Sequence, residues 1–183
     1  MTPDCEAELL HKYPEIFGDT QDVGLDVDDG WGPLVDELCF CMVGPYRQEC
    51  SRAERLQKKK GEPIYHGSEK IVDAAMIAES LTKAQDYRAE IPVAQQVKEK
   101  FGELRFYASG PNERHAAMID LACRLSSRIC EQCGSMNQVQ TYRLGWNKTL
   151  CPAHADIQYG EAEASQYRQK SAQKSATKAP RFR

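Results

Sequence analysis

The 183-residue chain has no uncharged apolar run approaching the ~20 residues that a membrane-spanning helix requires, so no membrane span is expected. Its opening residues, Met1-Thr2-Pro3-Asp4-Cys5-Glu6, lack both the basic n-region and the apolar h-region of a secretory leader. A cytoplasmic location is therefore expected. A glycine-rich phosphate loop, a serine nucleophile elbow and a zinc-protease helix motif are all missing. The acidic stretch Asp26-Val27-Asp28-Asp29-Gly30 is not a calcium loop either. An EF-hand needs its glycine sixth, which would put Leu25 and Val27 at the first and third ligand positions.

Excess charge is also scarce, at a net −3, but it is unevenly placed. Residues 1–40 carry eleven acids and one base, Lys12, while the remainder carries 16 acids and 23 bases. Such asymmetry marks either an electrostatic partner surface or two halves of one fold that attract each other. A hydrophobic fraction of 41% and a charged fraction of 28% are those of a soluble globular protein.

Along the chain, Asp4–Tyr13 reads as a short helix with Leu9 and Leu10 inward, stopped by Pro14. Residues 18–30 are turn-rich and acidic. A second helix should start near Trp31–Pro33, capped by Asp29, with Leu34, Leu38 and Cys41 as its apolar stripe, and Gly44-Pro45 should break it. The polar run 46–63 reads as a solvated helix ending at Gly61. A further helix is expected from about Ser68 to Gln85, and another from Pro92 through Val93, Val97 and Phe101, closed by Gly102. Leu104–Ala108 alternates like a strand. Met118, Ala122, Leu125 and Ile129 mark a helix that leads to Cys130.

The strongest chemical signal follows. Cys130-Glu131-Gln132-Cys133 and Cys151-Pro152-Ala153-His154 are two chelating pairs separated by seventeen residues. Three thiolates and one imidazole complete a tetrahedral shell for Zn²⁺, leaving no position open for a substrate. Gly134 supplies a knuckle turn. Gln138–Leu144 and Trp146–Leu150 suit a hairpin, and Pro152 suits the first turn of a helix. Knuckle, hairpin and helix together resemble a treble-clef zinc finger over roughly residues 128–168. The other five cysteines, Cys5, Cys39, Cys41, Cys50 and Cys123, read as free thiols.

The expected fold is α+β, mostly helical with short strands and a C-terminal treble-clef-like zinc module. The domains would be a helical or α+β part over 1–110 with an acidic N-terminal region, a helix plus zinc module over 111–168, and a basic, disordered tail over 169–183. Treble clefs also house metal-dependent nucleases, but no histidine lies between Cys133 and Cys151 to act as a base. Nucleic-acid binding has Arg124, Arg128, Arg143 and Lys148 to offer, with Tyr142 and Trp146 either stacking on bases or packing the hairpin. His11, His66 and His115 sit in unrelated contexts.

Gly30-Trp31, then Val97-Lys98-Glu99-Lys100-Phe101-Gly102-Glu103-Leu104-Arg105-Phe106-Tyr107, the Cys130–Gly134 knuckle and the run Gly145–Ala155 together look like a family of small proteins encoded by bacteriophages and prophages. The resemblance spans most of the chain apart from 44–92 and the tail. It implies a viral accessory protein in a bacterial host cytoplasm and carries over no catalytic residue. A host protein is then the expected partner, met by the acidic residues Asp26, Asp28 and Asp29. Nucleic acid is the alternative ligand and nuclease activity the third reading.

Overall fold

The computed structural model describes residues 1–18 and 23–178. Asp19 and Asp22 of the acidic loop lie outside the described residues, and of the tail expected to be disordered over 169–183, residues 169–178 are helical while 179–183 lie outside the described residues. The fold is α+β and mostly helical. No helix among the described residues is long and apolar enough to cross a membrane.

Helix α1 (Pro3–Lys12) buries Leu9, and Pro14 stops it only to open the single turn α2 (Pro14–Phe17). Strand β1 (Leu25–Asp26) and a 3₁₀ turn (Asp29–Trp31) lead into α3 (Gly32–Lys58). The Asp29 carboxylate does not cap α3. It accepts the Thr2 amide at 2.6 Å, at the start of α1.

Helix α3 runs straight through Gly44-Pro45, contrary to the sequence expectation of a break. Pro45 has no N–H to give the carbonyl of Cys41, and Arg114 Nη2 donates to that carbonyl instead at 3.3 Å. Packing supplies the rest, because Val35, Leu38, Cys39, Met42 and Val43 on one stripe are all buried. Antiparallel to α3 lies α4 (Ala74–Glu90), capped by Asp73, whose side chain accepts the Met76 amide. It starts later than expected because Ile71 is drawn into an isolated bridge with Pro63.

The largest departure is β2 (Val93–Lys100), a strand where helical spacing suggested a helix. The expected stripe is not a buried face, because Val93 and Phe101 are exposed and Val97 alone of the three is buried; the strand instead carries a register shift between Ala94 and Gln96. The bulge turns Ala94 and Val97, three residues apart, both into the core. Gly102 is not a helix cap but the second residue of a two-residue turn, with Phe101 at φ 60° and Gly102 at φ 78°. Strand β3 (Glu103–Ser109) pairs antiparallel with β2, and β1 lies parallel on its other edge.

Helix α5 (Glu113–Ser126) closes the main core, which gathers Trp31, Val97, Leu104, Phe106 and Ala122. Ser126 ties α5 to the sheet by accepting the Leu104 amide at 2.9 Å. A second, smaller core belongs to β4 (Gln140–Leu144), β5 (Trp146–Leu150), α6 (Pro152–Tyr159) and α7 (Glu161–Lys178). There Tyr142 stacks obliquely on Tyr159 and Tyr167, 5.8 and 5.2 Å between centroids. Helix α7 carries the chain into the basic tail as far as Lys178.

The two cores meet at two glycines. A Cβ on Gly30 would sit 2.3 Å from the Cys130 carbonyl oxygen and 2.5 and 2.6 Å from the Gly134 and Cys133 amide nitrogens. A Cβ on Gly102 would fall 2.5 Å from Thr141 Cγ2. The Gly30 contact is backbone against backbone, so neither side can yield by a rotamer change. Gly30→Ala should therefore cost about 3 kcal/mol or more in urea unfolding. Gly44→Ala, with open space around it, should leave stability unchanged or raise it by up to about 1 kcal/mol.

Candidate metal centre

Cys130 and Cys133 flank a tight turn in which the Gly134 amide donates to the Cys130 carbonyl at 2.8 Å and Gly134 takes φ 73°. Cys151 is the N-cap of α6, so His154 lies three residues on, within the first turn of that helix. The knuckle and the helix start thus bring all four ligand atoms within 4.8 Å of one another. Cys133 Sγ and Cys151 Sγ are 3.9 Å apart. His154 Nδ1 is 3.2 Å from Cys151 Sγ and 3.7 Å from Cys130 Sγ.

These spacings can be tested against a metal. Bonds of about 2.3 Å to sulfur and about 2.0 Å to nitrogen in a tetrahedron give edges of about 3.8 Å between sulfurs and about 3.5 Å from sulfur to nitrogen. The three edges above fall close to these values, and every other pair of ligand atoms lies within 4.8 Å. Burial pushes the Cys130 thiol up to about 11, although the amides of Cys151, Cys133 and Gln132 favour its thiolate. At Cys151 burial works in the same direction, but the amide and ring of His154 and the two other thiols outweigh it and bring it down to about 7. A cation at the centre of the shell would displace the remaining protons. By geometry and by chemistry the donor set can hold a metal ion, and it is the one such cluster among the described residues.

Beside it lies an ionic clamp. Glu131, inside the first chelating pair, is fully buried, and its carboxylate meets Lys148 Nζ at 2.6 Å and accepts the Thr149 amide at 3.2 Å. Lys148 Nζ also reaches Asp28 at 3.0 Å, and Asp28 accepts from Gln132 as well. Burial raises the Glu131 carboxyl, while Lys148 favours its ionised form. The two carboxylates raise Lys148 despite its own burial. Close by, the Gly30 amide donates to the Glu131 carbonyl and Trp31 Nε1 to the Ile129 carbonyl. Thr149 Oγ1 donates to the Gly102 carbonyl at 2.6 Å.

Of the candidate residues named from sequence, Cys130, Cys133, Cys151 and His154 come together. Asp28 and Lys148, proposed for different ligands, are bonded to each other. Asp29 holds the start of α1, whereas Asp26 is exposed on β1. Arg124 pairs with Asp120 along α5, and Arg128 and Arg143 are exposed. Tyr142 is core, but Trp146 is 74% exposed, its Nε1 donating to Glu99. His11 and His66 are exposed, and His115 is buried in the main core, with no hydrogen-bond partner at Nδ1. All eight cysteines are free of disulfides. Glu131, Glu99 and the seam glycines were missed as site residues. The only available signal was their place in the conspicuous runs around Gly30-Trp31, Phe101-Gly102 and the knuckle.

Compared with protein-family models, with curated proteins and with solved structures, the chain finds no match.

Breaking the clamp tests its part in the fold. Lys148→Met leaves the Glu131 carboxylate buried without its cation and should cost about 3 kcal/mol. Arg124→Met, which loses only an exposed pair, should cost no more than about 0.5 kcal/mol in the same denaturation assay.

Proposed function

We propose that the chain is a non-catalytic binding protein, held in shape by a structural zinc ion, whose ligand is a macromolecule. A host protein is the partner in the phage setting that the sequence resemblance implies. The observation that carries the reading is the closed donor set. All four positions of the tetrahedron belong to the protein, so a bound ion has no site for substrate or water. Three thiolates and an imidazole in tetrahedral array suit zinc above magnesium, calcium or manganese, which take oxygen donors. The acids that could serve the partner are fewer than sequence suggested, because Asp28 and Asp29 have internal partners and Asp26 alone of the three is exposed.

Nucleic-acid binding is the second reading, favoured by the exposed Arg128, Arg143 and Trp146. Nuclease action is the third, and it needs a site other than the closed shell.

Elemental analysis of the purified protein should find one zinc per chain, lost in Cys151→Ala. Tagged protein mixed with bacterial lysate should retain a protein through nuclease treatment. Salt-sensitive retention of DNA or RNA instead, weakened by deleting residues 169–183, would favour the second reading. Metal-dependent cleavage of DNA would contradict both.

A further inference from the structure

Two large aromatic side chains stand out of the surface at the seam between the two cores, Trp146 at 74% exposure and Phe101 at 66%, and Tyr107 at 44% stands farther along β3. Two of the three already carry a cation. Lys100 Nζ lies 5.3 Å from the Phe101 ring centre and Lys98 Nζ 5.7 Å from that of Tyr107. Trp146, whose indole is the strongest acceptor of the three for a cation, has no such partner among the described residues. It is nevertheless held in place. Its Nε1 donates to Glu99 Oε2 at 3.1 Å, and Glu99 Oε1 accepts the Gly102 amide at 2.5 Å. The carbonyl of Trp146 accepts from the Tyr159 hydroxyl at 3.0 Å.

Clefts open on both sides of this indole. One, of about 320 Å³, is walled by Glu99, Lys100, Phe101 and Asn147. The other, of about 230 Å³, is bounded by Asp26, Asp28, Glu99 and Lys148, with Met1 and Val27. Lys148 is shared between Asp28 and Glu131, and the Met1 amine bonds the Val27 carbonyl. In the second cleft the carboxylates of Asp26, Asp28 and Glu99 outnumber the two cations, Lys148 and the Met1 amine, so the field on that side of the indole is negative, while Lys100 offsets Glu99 in the first cleft.

The turn that presents Phe101 adds a further sign. A two-residue turn with φ positive at both positions favours Asn-Gly, and a bulky aromatic at its first position is strained. Exposed and unburied, Phe101 gains little packing in return. Strain of this kind persists where a side chain serves a ligand.

We propose that Trp146, sharing one cleft with Phe101 and the other with the carboxylates of Asp26 and Glu99, is a receptor for a cationic side chain on a basic segment of the partner protein. This rests on the binding reading above and specifies its surface. An arginine fits best, since a guanidinium stacks on an indole face while its edge N–H groups meet carboxylates. The same negative field disfavours a phosphate backbone at this cleft, so a nucleic acid is the rival ligand and not the expected one.

Fluorescence gives a direct readout, because the chain has two tryptophans and Trp31 is fully buried. The zinc-loaded full chain is titrated at about 0.15 M salt with a blocked peptide of alternating arginine and glycine. A saturable change in Trp146 emission is expected. Asp26→Asn with Glu99→Gln should weaken binding about tenfold, and Glu161→Gln on α7 should leave it unchanged. Phe101→Asn should weaken binding while raising the melting temperature, which a merely destabilising change cannot do. Calorimetry with Trp146→Ala, whose side chain is exposed, should show the peptide lost. Equal binding by all variants would overturn the proposal, as would emission changes with oligothymidylate but not with peptide. A lysate protein retained undiminished by Trp146→Ala would sink this surface and leave the binding reading standing. Absence of any captured macromolecule would sink that reading itself.

Discussion

The architecture hinges on a close approach of two backbones. Gly30 lies against the turn between Cys130 and Gly134 so tightly that no side-chain atom fits between them. Its amide bonds the Glu131 carbonyl within the same contact. A second approach, at Gly102, seats the β2–β3 turn against Thr141 and Thr149 of the finger hairpin. The knuckle, closed by the Gly134 amide on the Cys130 carbonyl and the Cys130 amide on the Ser135 carbonyl, supplies the surface on which Gly30 rests. Finger and main core are therefore coupled, although each has its own apolar cluster.

Electrostatics follows the same division. The acid-rich N-terminal region is largely spent within the fold: Asp28 on Lys148, Asp36 on Lys12, Glu15 on Arg47 and Glu6 on the Leu25 amide. The Arg47 guanidinium beside Glu15 holds that carboxyl below the usual range despite its burial. Only Asp28 and Glu15 of these meet cations from the basic remainder of the chain; Asp36 and Glu6 are held within the acidic region itself. What is left for a ligand is local, around Asp26 and Glu99 beside an exposed indole.

Much of this was legible in the residues. Ligand spacing, the Gly134 turn and Pro152 in a first helical turn gave the finger, since those residue types tolerate few alternatives. The strand at Leu104–Phe106 was clear from its alternation. Helix α3 and strand β2 were not. Pro45 is rescued by Arg114, 69 positions later in sequence, and no local pattern reports such a partner. In β2 the helical spacing of Val93, Val97 and Phe101 is only apparent, since Val93 and Phe101 stand exposed and Val97 alone is buried. Burial of Glu131 and exposure of Trp146 also run against residue type, and both arise from the seam, which only the folded chain creates.

The central claim is that metal, knuckle and Gly30 contact form one cooperative unit. Amide hydrogen exchange with and without a zinc chelator tests it most directly. Metal removal should speed exchange in Cys130–Tyr159 and equally at Gly30, Trp31 and Gly102, whose contacts depend on the knuckle. Faster exchange confined to the finger, with Gly30, Trp31 and Gly102 still protected, would contradict it.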